Sequence, residues 1–279
     1  MIVCTPSNLN EATILKPYCD AFLVGIKDYT VSFRNCFSFN EINELKALNK
    51  QIILRLDYLL FEDEVSSFST LISSLKDNDF LYYVNDIGSL EILKEHGLIS
   101  KTIYDPLTMI TNKLDAKFYN DLGLNAFGLS LEIPYKDVLT MTDLNLFYQV
   151  FGYREMFSSK RKVVSLYLEE KNLESNLENM ILVEQTRNDS YPIFEDKRGT
   201  FIYRSYIINY LEHINDFKYA LIDSLLIDFD TYFKIVQNAY AYKNNIIDLN
   251  SLNSNINHLN LHIEDGFKFK DSVYQKEEF

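Results

Sequence analysis

Thiols are scarce in this chain. Of 279 residues only three are cysteine: Cys4, Cys19 and Cys36. Three thiols cannot build a disulfide framework, so the sequence reads as that of a reducing compartment. Three is also one short of the four thiolates that an iron–sulfur cluster ordinarily takes from its protein. No Cys-x-x-Cys occurs, and one histidine pair at ligand spacing, His258 and His262, falls in an Asn-rich stretch and reads as solvated. No metal or cofactor site is therefore expected within this chain. Glycine (8) and proline (5) are too few for a fibrous or linker-like protein. Long apolar runs are missing too. The stretch 219–229 carries Asp223 and Asp228 and is too short to span a bilayer. Residues 1–6 lack the basic start and apolar stretch of a secretory leader, so a cytoplasmic protein without membrane contact is expected. Positive charge is in deficit: 27 Lys and Arg face 40 Asp and Glu, a net charge of −13. That balance argues against broad, non-specific binding of nucleic acid.

Apolar material is plentiful. Hydrophobic residues make up 47%, including 20 Tyr and 20 Phe, which rules out disorder and supports one large core. Apolar runs at 1–4, 21–25, 52–56, 80–84, 101–104, 126–130, 145–152 and 219–227 read as strands. Between them, 9–18, 40–49, 61–75, 87–96 and 112–122 have helical spacing, Pro134 opens a further short helix, and 232–242 closes the series. Thr5 or Ser7 would cap the first helix. This alternation predicts right-handed βαβ units and an α/β fold of the (β/α)8 TIM-barrel type, with a doubly wound open sheet as the alternative. No Gly-x-Gly-x-x-Gly follows the first strand, which lowers the dinucleotide-binding version. After the seventh strand the rhythm breaks. A small antiparallel insertion is expected at about 169–205, with strands at 181–185 and 201–204 joined by a loop through Pro192 and Gly199, then a helix at 206–214. The barrel domain would occupy 1–244, and 245–279 would be an Asn-rich, charged tail with a frayed end.

Barrel chemistry sits at the C-terminal ends of the strands. Those ends offer Cys4, Gly25 to Arg34, Asp57, Asn85 with Asp86, Asp105, Ser130 with Glu132, Gly152 to Arg161, and Asp228. Protease signatures are missing: there is no His-Glu-x-x-His, and Gly128-Leu129-Ser130-Leu131-Glu132 has Glu where a nucleophile elbow needs Gly. Cys4 is either a nucleophile at the barrel mouth or a small buried hydrophobe. The strongest local signal is Gly152 to Lys162, where Arg154, Lys160, Arg161 and Lys162 fall within nine residues of an acidic chain. With Gly152 ending a strand, this loop reads either as an anion-recognition element or as a solvated basic turn. Arg34 and Glu132 are expected to pair with each other or to hold a substrate. Asp86 and Asn112 read first as helix caps.

These strand-end residues resemble the peptidase U32 family, also called collagenase-like. The matches run in family order: Ala21-Phe22-Leu23-Val24-Gly25 with Ser32-Phe33-Arg34; Val84-Asn85-Asp86-Ile87-Gly88; Thr111-Asn112, Leu122-Gly123 and Leu129-Ser130-Leu131-Glu132; then Tyr191-Pro192-Ile193, Asp196 and Gly199-Thr200. Leu131 stands where the family usually has Arg. The resemblance spans roughly residues 1 to 244. In the family's cysteine signature this sequence keeps Gly152 and Ser165 but has Glu155 and Lys162 at two cysteine positions. Phe157-x-Ser159-Lys160-Arg161 is similar to a shorter Gram-positive branch. For that branch the resemblance implies a part in tRNA modification, the prephenate-dependent 5-hydroxylation of the wobble uridine (U34). It also implies tRNA as partner, together with a longer U32 paralogue that carries the iron–sulfur cluster. Arg34, Arg154, Lys160 and Arg161 would then clamp the prephenate dicarboxylate, while 160–162 could instead meet tRNA phosphates. A protein-degrading U32 peptidase and a non-catalytic scaffold subunit are the alternatives.

Overall fold

The computed structural model describes residues 1–173, 180–184, 186 and 189–270. Eight parallel strands close into a ring: β1 (Ile2–Cys4), β2 (Ala21–Ile26), β4 (Gln51–Arg55), β5 (Phe80–Val84), β6 (Thr102–Tyr104), β7 (Ala126–Gly128), β8 (Leu146–Ser159) and β12 (Tyr219–Ile222). β12 pairs with both β8 and β1, which closes the barrel and excludes the open-sheet alternative. A two-residue strand, β3 (Cys36–Phe37), adds to β2.

Each strand's period-two alternation sorts its side chains. One set fills the barrel: Val3, Leu23, Ile53, Leu81, Ile103, Ala126, Phe147 and Leu221. The other set, including Cys4, Phe22, Val24, Leu54, Tyr82, Phe127, Tyr148 and Ile222, packs outward under the helices. Those helices are α1 (Leu9–Leu15), α2 (Phe39–Lys46), α3 (Val65–Leu75), α4 (Ile87–Glu95), α5 (Lys113–Asp121), the single turn α6 (Tyr135–Val138) and α8 (Phe229–Lys243). Their starts are capped by short polar side chains. Asn8, rather than Thr5 or Ser7, caps α1 through Glu11 N (3.0 Å). Thr5 is instead buried, its N–H donating to Tyr232 Oη at 2.9 Å. Ser38 and Glu41 form a reciprocal capping box on α2. Asp86, Asn112 and Asp228 cap α4, α5 and α8.

The seventh barrel strand departs most from its expected bounds. β8 does not stop at Gly152 but runs 14 residues to Ser159, so most of the basic segment is strand and not loop. Beyond it come α7 (Val163–Lys171), β9 (Met180–Val183), β10 (Ser190–Asp196) and β11 (Gly199–Asn209). β8, β11, β10 and β9 form an antiparallel extension of the barrel sheet. Pro192 therefore lies inside a strand, paired with Ile181 on the terminal strand of this extension, and not in a loop. The helix expected at 206–214 is strand to Asn209 and then a 3-10 turn over Leu211–Asp216. The Asn-rich stretch is more ordered than its composition suggests: α9 (Leu249–Asn257) buries Leu252 and Ile256, one turn apart. His258 sits at its C-cap and His262 beyond its end, so the pair shares no helical face. The end expected to fray falls largely at 271–279, outside the described residues. No described helix is long and apolar enough to cross a membrane.

Candidate active site at the barrel mouth

Following the inward-facing column of each strand toward its C-terminal end, the side chains turn from aliphatic to polar. Above Ile53 comes Arg55, above Leu81 Tyr83, above Ile103 Asp105, above Phe147 Gln149, and above Leu221 Asp223. With Arg34, Asp57, Asn85 and Glu155 they surround a chamber of about 40 Å³. Gly128 ends its own inward column. A Cβ there would collide with the Asp105 carboxylate, so glycine makes room for that acid.

The chamber is organised by charge. Arg34 Nη1 lies 2.6 Å from Asp223 Oδ2, and its Nη2 donates to Tyr203 Oη at 3.0 Å. Arg55 lies between Asp223 (3.8 Å) and Asp57 (3.7 Å). Burial alone would raise the Asp223 pKa, but Arg34 and Arg55 outweigh it and hold the carboxyl below its usual range. The same conflict ends differently at the other acids. Burial wins at Asp57, whose pKa rises despite Arg55 and Arg34. Burial lifts Asp105 to about 6, against hydrogen bonds from Tyr83 Oη (3.0 Å) and Leu107 N (3.2 Å). Burial also pushes Glu155 to about 7, with Arg34 opposing. Two guanidinium groups thus face four carboxyls, three of which burial pushes toward the neutral form.

A cleft of about 280 Å³ lies above this chamber. Asp57, Asn85, Leu107, Leu131 and Glu155 line both spaces, so the floor of the cleft is the roof of the chamber. The walls carry four cations: Arg154, Lys160, Arg198 and Arg204. Lys160 donates to Glu64 (3.0 Å) and to the Leu59 carbonyl, and lies over the Phe61 ring. Arg198 pairs with the same Glu64 and stacks on Tyr58, which ties the β10–β11 turn to the segment after β4. Arg204 is 3.9 Å from Glu132. Arg154 differs from the other three. It is 3% exposed, donates to the Leu131 (3.2 Å) and Gln149 (3.1 Å) carbonyls, and sits against Tyr148 and Tyr210. It makes no ion pair among the described residues, and its Nε is buried without a partner.

The residues that stand out in the sequence are gathered here only in part. Arg154, Lys160 and Glu132 all line the cleft. Arg34 lies below it in the chamber. Arg34 and Glu132 do not pair with each other: Arg34 takes Asp223 and Glu132 takes Arg204. Arg161 is exposed, and its carbonyl accepts from Thr200 Oγ1 (2.9 Å). Gly152 is in mid-strand at φ +124°, with the Asp223 carbonyl 2.9 Å from where a Cβ would be. Asp86 and Asn112 act as caps. Cys4 faces the outer layer beside Cys19 and Tyr232, away from the mouth, and burial raises its thiol pKa well above normal. Arg55, Asp223, Tyr203, Arg198 and Arg204 are site residues that the sequence reading misses. Strand alternation could have exposed Arg55, two residues after inward Ile53. The same alternation marks Asp223, two residues after inward Leu221; the other three reach the mouth from the β10–β11 extension, far from the barrel strands in sequence.

An iron–sulfur cluster finds few thiolate donors here: Cys4 and Cys19 are packed in the outer layer, and Cys36 is on β3. No three His, Cys, Asp or Glu side chains group as a metal site among the described residues.

The tRNA hydroxylation protein P2 of Bacillus subtilis (strain 168) is 22% identical, with the alignment covering 98% of each chain. The family model described as Peptidase family U32 matches residues 10–260, all eight barrel strands except β1. The chain therefore belongs to peptidase family U32.

Proposed function

We propose that this protein takes part in tRNA wobble-uridine (U34) 5-hydroxylation, binding an anionic co-substrate, prephenate, in the cleft above the barrel mouth. The full-length correspondence with a protein named for tRNA hydroxylation supports the tRNA role. The observation that carries the anion is Arg154. A buried guanidinium normally has a counter-charge, because desolvating an unpaired cation costs several kcal/mol. Arg154 makes no direct ion pair among the described residues: it has two backbone carbonyls, the Tyr148 and Tyr210 side chains and a longer-range attraction to the buried Asp105, and it borders a cleft just below the usual size range for small-molecule sites. A ligand carboxylate supplies the direct partner. Lys160 and Arg198, held by Glu64, add positive potential, while Arg161 and Lys162 are exposed beyond the end of β8 for a phosphate backbone. With the cluster's ligands missing here, the oxidative chemistry belongs to a partner, a longer paralogue that carries the iron–sulfur cluster. No observation favours a peptidase: Cys4 is remote from the cleft.

The test is gene deletion, followed by mass spectrometry of 5-hydroxyuridine-derived nucleosides in bulk tRNA. Deletion should abolish or reduce them. The wild-type gene should restore them, and Arg154→Ala should not. Unchanged nucleosides in the deletion strain would refute the reading. Iron analysis of proteins pulled down with the tagged chain tests for the partner.

A further inference from the structure

Glu155 is the one carboxyl in the wall between cleft and chamber that has a fixed hydrogen-bond donor on one oxygen and an anion-seeking cation as its chain neighbour. Arg34 Nη2 donates to Tyr203 Oη, so the Tyr203 O–H is free to donate onward to Glu155 Oε2 at 3.3 Å. Burial pushes the Tyr203 pKa up, so it stays a phenol and a donor. Oε2 accepts from Tyr203, and the Ser158 hydroxyl is the carboxyl's other side-chain hydrogen-bond neighbour. Below it, Asp57 Oδ1, Asn85 Oδ1 and Arg34 Nε are buried without hydrogen-bond partners.

We propose that Glu155 is a specificity-determining residue of the cleft: it enters the complex as the neutral acid and donates its O–H to a carboxylate of a dicarboxylate ligand. The inference rests on the cleft being the anion site, and it adds that the protein takes up a proton with its ligand. The balance is simple. Free Glu155 carboxylate gains one proton from solvent, no other bond changes, and the complex gains one negative charge fewer than the ligand brings.

The surroundings support this role. Arg34, Tyr203 and Ser158 favour the ionised form of Glu155, while burial and Asp57 favour the neutral one, and together they leave it near 7. Two of the other buried carboxyls have their partners within the protein. Asp223 is paired with both Arg34 and Arg55, and Asp105 takes its bonds from Tyr83 and Leu107. An arriving carboxylate raises the Glu155 pKa further, because a like charge disfavours ionisation.

Isothermal titration calorimetry of the full chain tests this, with prephenate, succinate and malonate as separate probes. Titrations at pH 6.0 and 8.5 in buffers of differing ionisation enthalpy count the protons exchanged. For the wild type, uptake should be close to zero at pH 6.0 and about one at pH 8.5. Affinity should fall by about 30-fold between those values, from a free-state pKa near 7. Glu155→Gln keeps a donor at every pH, so it should bind without uptake and with a flat pH profile. Wild-type binding at pH 8.5 without proton uptake overturns the proposal, and so does uptake that survives in Glu155→Gln. Failure of all three probes at pH 6.0 also overturns it. If Glu155→Gln does not fold, the wild-type proton count decides alone. The tRNA reading is judged separately by the nucleosides of the deletion strain, so either can fail without the other.

Discussion

Two buried guanidinium groups share the Asp223 carboxylate, and neutralising it tests the electrostatics of the mouth directly. In Asp223→Asn the shape of the side chain is kept, and Oδ1 can still accept from Leu225 N (3.1 Å). The charge facing Arg34 at 2.6 Å and Arg55 at 3.8 Å is lost. Asp57 remains 3.7 Å from Arg55 but makes no ion pair with Arg34. Removing one partner of a buried pair costs about 3–5 kcal/mol, because the other charge is left desolvated. At about 2–4 °C per kcal/mol for a domain of this size, the midpoint should fall by about 6–20 °C at pH 7.5. Acid supplies a second arm. The Asp223 pKa is depressed in the folded state, since Arg34 and Arg55 outweigh burial. Its contribution is therefore fully present above the unfolded value of about 3.9 and is lost as pH falls through the folded pKa. The gap between wild type and variant should be full at pH 5 and should close toward pH 3. Denaturant unfolding, followed by circular dichroism and tyrosine fluorescence in this Trp-free chain, measures it at pH 7.5, 5.0 and 3.0. A loss below about 1 kcal/mol at pH 7.5 would refute the reasoning. A gap that widens in acid would refute it too.

The same geometry gives two further expected outcomes. Gly152→Ala puts a Cβ 2.9 Å from the Asp223 carbonyl at a φ of +124°, and should cost about 2–5 kcal/mol in thermal unfolding from backbone strain plus overpacking; combined with Asp223→Asn it should be non-additive, because both act on the same residue. Cys4 and Cys19 should resist thiol reagents at pH 8 until the protein unfolds, and Cys36, half-buried with its thiol pushed up to about 11, should react slowly; rapid folded-state labelling of two thiols would contradict this.

The strands and helices were legible because each carries its own period. The run Phe80 to Val84 is a strand wherever it is placed, and Asp86 can cap only the helix on its C-terminal side. The extension after β8 was less legible. Gly152 looks like a stop, yet antiparallel pairing with β11 carries the strand seven residues further. Pro192 looks like a loop, yet it is accommodated on β10 opposite the terminal strand β9. Both are decided by partners distant in sequence, which local propensity does not see. At the site, Arg154 and Lys160 stood out as cations in an acidic chain. Arg198 and Arg204 carry equal charge, but they lie in the segment read as an insertion outside the barrel strands, so neither was placed at the mouth.

The count of three cysteines and the basic run from Arg154 to Lys162 needed only the sequence, since composition and spacing are properties of the chain itself. So did the alternation that makes a β/α barrel, because hydrophobic period is local. Which way each strand faces needed the tertiary structure. One step of register turns Cys4 outward into the helix layer and Arg55 inward to Asp223, a residue 168 positions away. Burial did the rest. It is a property of the closed barrel and not of any segment: it pushes Glu155 toward the neutral acid, while the two guanidinium groups brought to Asp223 hold that carboxyl ionised against it.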